Sequence, residues 1–131
     1  MELKDFQSNP KELIGKWVRL DYNGSGGGWS VHQIISVTNT SFRISNNDNR
    51  YRISDGGMKG GDGYRFRNCT LISDDKAAEL KTLAETYQSI KKSRIIISNS
   101  VMRIKAKANT ANKINETFNK IVEMLGELEN L

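Results

Sequence analysis

The spacing of apolar residues changes abruptly at the Ser-Asp-Asp segment, residues 73–75, and no other feature constrains the fold as strongly. Before this point apolar and polar side chains alternate, as in β-strands with one buried face. After it apolar side chains recur three and four residues apart, as along one side of an α-helix. The 131-residue chain is therefore predicted to be an α+β protein with a β-rich region, residues 1–73, and a helical region, residues 74–131.

Alternation in the first region predicts about five short strands. Turn-forming residues separate them in the segments NGSGGG (23–28), TNTS (38–41) and NNDN (46–49). Strands of this number and length form a small antiparallel sheet or an SH3-like barrel. A short helical turn is predicted before the sheet, with Pro10 near its first position and Gly15 ending it.

Two of these strands carry polar residues that we expect on the outer face. In WSVHQIISV, alternation predicts that Val31, Ile35 and Val37 face inward and that His32 faces outward. In TNTSFRIS, Arg43 is predicted to lie opposite the two apolar residues beside it.

The helical region carries long rows of apolar residues, which predict a helical hairpin or a coiled coil. A turn at residues 93–100 gives two helices of similar length and is preferred, with a turn at 106–113 as the alternative. A five-stranded sheet cannot cover rows of this length, so we expect a homo-oligomer formed through the helices. The alternative is a monomer whose hairpin folds back on its own sheet. The rows comprise Leu80, Leu83, Tyr87, Ile90, Ile97, Val101, Ile104, Ala108, Ala111, Ile114, Phe118, Ile121, Leu125 and Leu128.

Two basic-aromatic stretches, RYRI (50–53) and YRFR (64–67), flank a glycine-rich loop. If they pair as antiparallel strands, four arginines lie together on one face: Arg50, Arg52, Arg65 and Arg67. Like charges facing each other on a sheet repel, so such a cluster predicts a bound anion. The guanidinium fork matches phosphate, to which it donates two parallel hydrogen bonds. The alternative is an outer face that only contacts solvent.

Further residues are predicted to complete this ligand site. Loop glycines let backbone N–H groups approach a ligand, and Lys59 adds a positive charge at the tip of the loop. Trp29 and Tyr64 are the candidates for stacking on a base, with His32 and Arg43 nearby on outer faces.

Composition favours binding over catalysis. The net charge of +5 suits a partner with phosphates or acidic groups. With one cysteine, Cys69, and one histidine, the chain supplies neither a disulfide nor a Cys/His zinc site, and no catalytic motif or cofactor fingerprint is found. No apolar run is long enough to cross a membrane, and no signal peptide is found. We therefore predict a cytoplasmic protein with no enzymatic activity, cofactor, metal or membrane partner.

The β region, in GKWVRL, WSVHQIISVTNTSFRIS and RYRIS, resembles SH3-like barrels of the KOW and Tudor kind. The whole plan, a glycine-rich sheet followed by long helices in a short basic chain, resembles phage anti-defence proteins, in particular anti-Thoeris sponges. This resemblance implies an oligomer that sequesters a cyclic ADP-ribose-type nucleotide without turnover, in the cytoplasm of an infected host. Apart from this resemblance, the predicted phosphate-bearing ligand is a signalling nucleotide or a nucleic acid. The alternative function is an inhibitor or adaptor of another protein, like an anti-CRISPR, that docks through its helices and basic face.

Overall fold

The computed structural model describes residues 1–23, 27–60 and 66–131 and confirms the α+β class. Two short 3-10 helices, Leu3–Phe6 and Pro10–Leu13, precede the sheet, with Pro10 at the first turn of the second, as predicted. Five antiparallel strands and two helices follow. They are β1 (Trp17–Asn23), β2 (Gly28–Val37), β3 (Ser41–Ile44), β4 (Arg50–Arg52), β5 (Phe66–Ile72), α1 (Asp74–Arg103) and α2 (Ala111–Glu129).

The sheet has the order β4-β3-β2-β1-β5, so β4 and β5 are its two edges. The segment 56–59 lies between these edges and bonds to both. The backbone N–H of Arg52 donates to the carbonyl of Gly57 at 2.9 Å, and the N–H of Met58 donates to the carbonyl of Arg67 at 3.1 Å. These bonds occupy edge groups that would otherwise be open to another chain, and they hold the sheet in its curled shape.

Apolar side chains from all five strands and both 3-10 helices fill the inside of the curled sheet. Phe42 and Tyr51 stack within it at a ring-centroid distance of 5.9 Å. Arg43, Arg50 and Arg52 alternate with these buried residues on β3 and β4, as the sequence predicts. The largest fully buried side chains are Tyr51, Phe42, Leu13, Leu20, Ile34, Ile44, Ile53 and Val18.

The predicted faces of β2 are wrong before the bulge and right at Val37, which packs on the core as predicted. His32 and Ile34 are buried, whereas Ile35 is 53% exposed. The pairing of β2 with β3 shifts between Ile34 and Ser36, which marks a β-bulge. One extra residue at this point reverses the alternation, so Ile34 and Val37 both pack on the core although they are three residues apart.

Cys69 is buried in the core, and burial raises the pKa of its thiol to about 12. Because only the thiolate is alkylated, we expect iodoacetamide at pH 7.5 to modify the folded protein on the order of a thousandfold more slowly than an unfolded thiol. Intact-mass time courses with and without denaturant measure this ratio. Equal rates in the two conditions would show that Cys69 is accessible and ionised.

The second region begins where the apolar spacing changes. The hydroxyl of Ser73 accepts a hydrogen bond from the N–H of Lys76 at 3.1 Å and so caps α1, while Asp74 and Asp75 lie in its first turn. The preferred turn at 93–100 is wrong, because α1 continues through it to Arg103. The two helices are separated at residues 104–110, which overlap the alternative turn predicted at 106–113. Between Ile104 and the start of α2 this segment contains no large apolar residue.

Compact packing divides the chain into two units, Met1–Ser89 and Ile90–Leu131. The division falls inside α1. None of the helices among the described residues is both long enough and apolar enough to cross a membrane.

Candidate anion-binding cleft

An open cleft of about 510 Å³ lies where β3 ends. Arg43 and Arg67 contribute the two positive charges of its lining. The loop 46–49, Asn-Asn-Asp-Asn, contributes three amides and one carboxylate, and Ile35 and Ile44 contribute apolar surface. The cleft therefore combines charged donors, neutral donors and acceptors, and a small apolar wall, and its lining is more polar than that of most small-molecule sites.

The loop 46–49 is held in place by its own side chains. Asn46 has a positive φ of 57°, a conformation that asparagine tolerates better than most residues. The side-chain oxygen of Asn47 accepts hydrogen bonds from the N–H of Asn49 at 2.9 Å and from the hydroxyl of Tyr51 at 3.3 Å. Since Tyr51 is a core residue, the loop is anchored to the core.

Arg43 has donors that the described residues do not satisfy. Its Nε is buried and has no hydrogen-bond partner among them. Its Nη2 lies 3.9 Å from a carboxylate oxygen of Asp48, whose side chain is fully exposed. An ion pair at that distance in water contributes little, and a buried donor without an acceptor costs free energy.

Arg67 reaches the cleft from the opposite edge of the sheet. Its Cζ lies 5.1 Å from the ring centroid of Tyr22, its neighbour on β1. It also lies beside the Tyr51 hydroxyl. Burial raises the pKa of that hydroxyl, and the adjacent Arg67 acts in the opposite direction. The prediction that Arg67 faces outward is wrong, because it shares the inward face of β5 with the buried Cys69.

The predicted face of four arginines is not formed by the described residues. β4 and β5 are opposite edges of the sheet and do not pair, because the segment 56–59 lies between them. Arg52 instead forms two 3.0 Å hydrogen bonds with the carboxylate of Asp55, and this contact lowers the pKa of Asp55. Arg50 is exposed and lies directly opposite Arg43 on the neighbouring strand. Arg65 lies outside the described residues.

The other residues predicted for the ligand site are not among those that line the cleft. Trp29 is half-buried on β2, with the guanidinium of Arg19 5.2 Å from its ring. Lys59 lies on a separate cleft of about 260 Å³ that also contains Arg52. Tyr64 lies outside the described residues, as do residues 24–26 of the segment NGSGGG (23–28).

His32 is engaged within the protein, and its predicted outward position is wrong. One ring nitrogen, Nε2, lies 2.7 Å from the hydroxyl of Ser30, and the other, Nδ1, bonds to the carbonyl of Ser45. A carbonyl only accepts, so Nδ1 carries the proton and Nε2 accepts from Ser30 in the neutral ring. Through Ser45, His32 fixes the backbone residue that precedes the loop 46–49.

Sequence reasoning missed the asparagines of the cleft. The sequence predicts Asn46, Asn47 and Asn49 only as turn residues, and an asparagine-rich turn of this kind is too common to indicate a site. That Arg43 and Arg67 line one cleft depends on the curl of the sheet, which no local pattern reveals. No group of His, Cys, Asp and Glu within residues 1–23, 27–60 and 66–131 has the arrangement of a metal site.

No known protein family, curated protein or solved structure shows a significant match to this chain. The resemblance to anti-Thoeris sponges therefore stays a prediction. The function has to be inferred from the cleft and from the exposed surfaces of the chain.

Proposed function

We propose that this protein is a non-enzymatic, self-associating binding protein that holds a phosphate-bearing ligand, a nucleotide or a nucleic acid, between Arg43 and Arg67. The observation that carries the proposal is that two arginines without a close ion pair, Arg43 and Arg67, line the same open cleft. A phosphate supplies acceptor oxygens, and its charge matches two guanidinium groups.

The ion pairs elsewhere on the sheet support this assignment. Arg19 lies 2.9 Å from Asp21, and Arg52 lies 3.0 Å from Asp55, so both guanidiniums are neutralised by a neighbouring carboxylate. Arg43 has only the distant Asp48, and Arg67 has no ion pair among the described residues. The cleft thus holds two of the three described sheet arginines that lack a close ion pair, and the third, Arg50, lies opposite Arg43 on β4 but does not line the cleft. An anionic ligand binds there without having to displace a close ion pair.

The rest of the lining favours a nucleotide over inorganic phosphate. Amide groups of Asn46 and Asn49 can hydrogen-bond to a ribose or to a base edge, and the exposed side chain of Ile35 offers apolar contact to a base. The volume is also in the range typical of sites for small organic ligands. Because the cleft is open, one nucleotide of a single strand fits the same chemistry.

Titration with ADP-ribose and with a single-stranded oligonucleotide of about twelve residues tests the proposal. Loss of a charged hydrogen bond typically weakens binding about tenfold or more, so we expect this loss for Arg43→Gln and for Arg67→Gln. Arg52→Gln is the matched control, because it removes the same charge from a guanidinium that Asp55 already neutralises. Calorimetry at two salt concentrations measures both affinity and its salt dependence.

The Arg52→Gln control also distinguishes binding in the cleft from binding at the four-arginine face predicted from the sequence, because Arg52 belongs only to that face. If Arg52→Gln weakens binding as much as Arg43→Gln, the ligand binds elsewhere on the sheet. If the double variant Arg43→Gln/Arg67→Gln binds both probes as wild type does, the proposal is wrong.

Self-association is the second part of the proposal. Thirteen large apolar residues between 90 and 131 are exposed. Together they expose on the order of 1,000 Å² of apolar surface on several sides of the two helices, and the largest continuous part is the row on α2 formed by Ile121, Leu125 and Leu128 with Met124 beside it. A complex with a different protein would cover the same surface, and the mass of the purified protein distinguishes the two.

A further inference from the structure

Among the described residues that line the anion-binding cleft, one carries a carboxylate. Asp48 belongs to the loop 46–49, and its Oδ1 lies 3.9 Å from Nη2 of Arg43, so the carboxylate is on the side of the loop that faces this guanidinium. Its side chain is fully exposed. A carboxylate repels phosphate, so a site that had only to hold phosphate would gain nothing from it. Asp48 instead matches a part of the ligand that carries hydrogen-bond donors.

The backbone that carries Asp48 is held by contacts on either side of it in the sequence. The carbonyl of Ser45 accepts a hydrogen bond from Nδ1 of His32, and the side-chain oxygen of Asn47 accepts one from the hydroxyl of Tyr51. His32 and Tyr51 are both buried, so these bonds join the loop to the core of the sheet. The carboxylate of Asp48 takes no part in them and is free to accept from a ligand without a rearrangement of the loop.

Ribose is the part of a nucleotide that best supplies such donors next to phosphate. An ionised carboxylate accepts hydrogen bonds and donates none, and in dinucleotide-binding proteins it binds the hydroxyls of ribose. Amino groups on a base also donate, but they lie at the far end of the nucleotide from its phosphate. Asp48 lies within 4 Å of the guanidinium of Arg43. Its closeness to a phosphate-binding group therefore favours a ribose hydroxyl over a base.

We propose that Asp48 accepts a hydrogen bond from the 2′-hydroxyl of the ligand whose phosphate Arg43 and Arg67 hold, so that the cleft selects ribonucleotides over deoxyribonucleotides. This inference rests on the proposed function and specifies its ligand class. The 2′-hydroxyl is free both in a mononucleotide and within an RNA chain, and DNA lacks it. A free ribonucleotide and one nucleotide of a single-stranded RNA thus offer the same chemistry.

The exposure of Asp48 sets the size of the expected selectivity. A buried carboxylate left without its partner would reject a deoxy ligand very strongly, but Asp48 stays hydrated when such a ligand binds. The difference is then that of one hydrogen bond to a charged group. We expect the ribo form of a ligand to bind about tenfold more tightly than the deoxy form.

Two pairs of ligands and two variants of Asp48 test the inference by calorimetry. The pairs are AMP with 2′-deoxy-AMP, and an oligo(A) of about twelve residues made as RNA and as DNA. The ratio of the two affinities in a pair is the informative quantity. Both members carry the same charge, so relief of the repulsion between Asp48 and phosphate changes both affinities equally. Asp48→Ala should bring the ratio close to one, and Asp48→Asn, which keeps a neutral acceptor, should give an intermediate ratio.

Glu12→Ala is the matched control for the loss of a negative charge. Glu12 is exposed on the second 3-10 helix and is not among the residues that line the cleft. This variant should keep the wild-type ratio in each pair of ligands. A fall in the ratio as large as that of Asp48→Ala would show that selectivity depends on net charge, and the inference would be wrong.

The outcomes separate this inference from the proposed function. Equal wild-type affinities within both pairs, or an unchanged ratio in Asp48→Ala, overturn the inference, while weaker binding by Arg43→Gln would still support the cleft as the phosphate site. A wild-type protein that binds none of the four ligands overturns the proposed function itself. Selectivity that depends on Asp48 in the AMP pair alone supports the inference with a free nucleotide as the ligand. The same result in the oligonucleotide pair alone supports it with RNA.

Discussion

Replacing Gly56 with alanine is expected to lower the free energy of unfolding by more than about 3 kcal/mol. Gly56 is buried with a φ of +77°, where residues with a Cβ are strained. A Cβ would lie 2.0 Å from the carbonyl oxygen of Cys69, which is part of the backbone of β5. The carbonyl of Gly56 accepts a hydrogen bond from the N–H of Cys69, and its N–H donates to the carbonyl of Arg52, each at 2.8 Å. Moving the backbone to relieve the clash would break these bonds, which link the two edge strands.

Gly60→Ala is the matched control for this prediction. Gly60 has nearly the same φ, +75°, but nothing lies within 4 Å of the position that an alanine methyl group would take there. Its substitution carries the conformational strain alone, about 1 kcal/mol. Chemical denaturation of the three proteins, followed by tryptophan fluorescence, gives the comparison. Equal losses at both glycines would show that the segment 56–59 does not hold the edges together.

Introducing a charge at Leu125 is expected to dissociate the assembly. Leu125 lies in the apolar row of α2 and is not buried within the chain, so Leu125→Asp leaves the core of its own chain intact. In a contact between copies, the same change buries an unpaired carboxylate, which should weaken association at least about a hundredfold. Sedimentation equilibrium over a range of concentrations measures the effect.

Asn119→Asp controls for the added charge. Asn119 is on the same helix and exposed, but it is not part of the apolar row. We expect this variant to keep the wild-type mass. A Leu125→Asp protein that also keeps it would show that α2 is not in the interface.

The strands were largely predictable because alternation is a local property. Phe42, Ile44, Tyr51 and Ile53 are buried and their neighbouring arginines are not, as their spacing indicates. The exception is β2, where an extra residue at the bulge near Ile35 moves His32 to the inner side. A bulge has no distinctive sequence here, since the pattern WSVHQIISV is compatible with either face being buried.

The candidate site was less predictable because it depends on contacts between distant segments. Repetition of RYRI and YRFR indicates a hairpin, but the intervening segment forms hydrogen bonds to both edge strands and separates them. Arg52 is neutralised by Asp55 three residues later, a pairing that the alternation pattern does not predict. The turn predicted at 93–100 is also misplaced. Ser98, Asn99 and Ser100 lie within α1, although their helix propensities alone do not favour a helix there.

Side-chain NMR of the arginines tests the central claim most directly, because each Arg Nε–Hε group gives a signal of its own. On addition of ADP-ribose, the account predicts shifts and slower hydrogen exchange for the Nε–Hε groups of Arg43 and Arg67. The signals of Arg19 and Arg52, whose guanidiniums already pair with carboxylates, should change little. Saturable shifts at Arg52, or at the helical arginines, with Arg43 and Arg67 unaffected would contradict the assignment of the cleft as the ligand site.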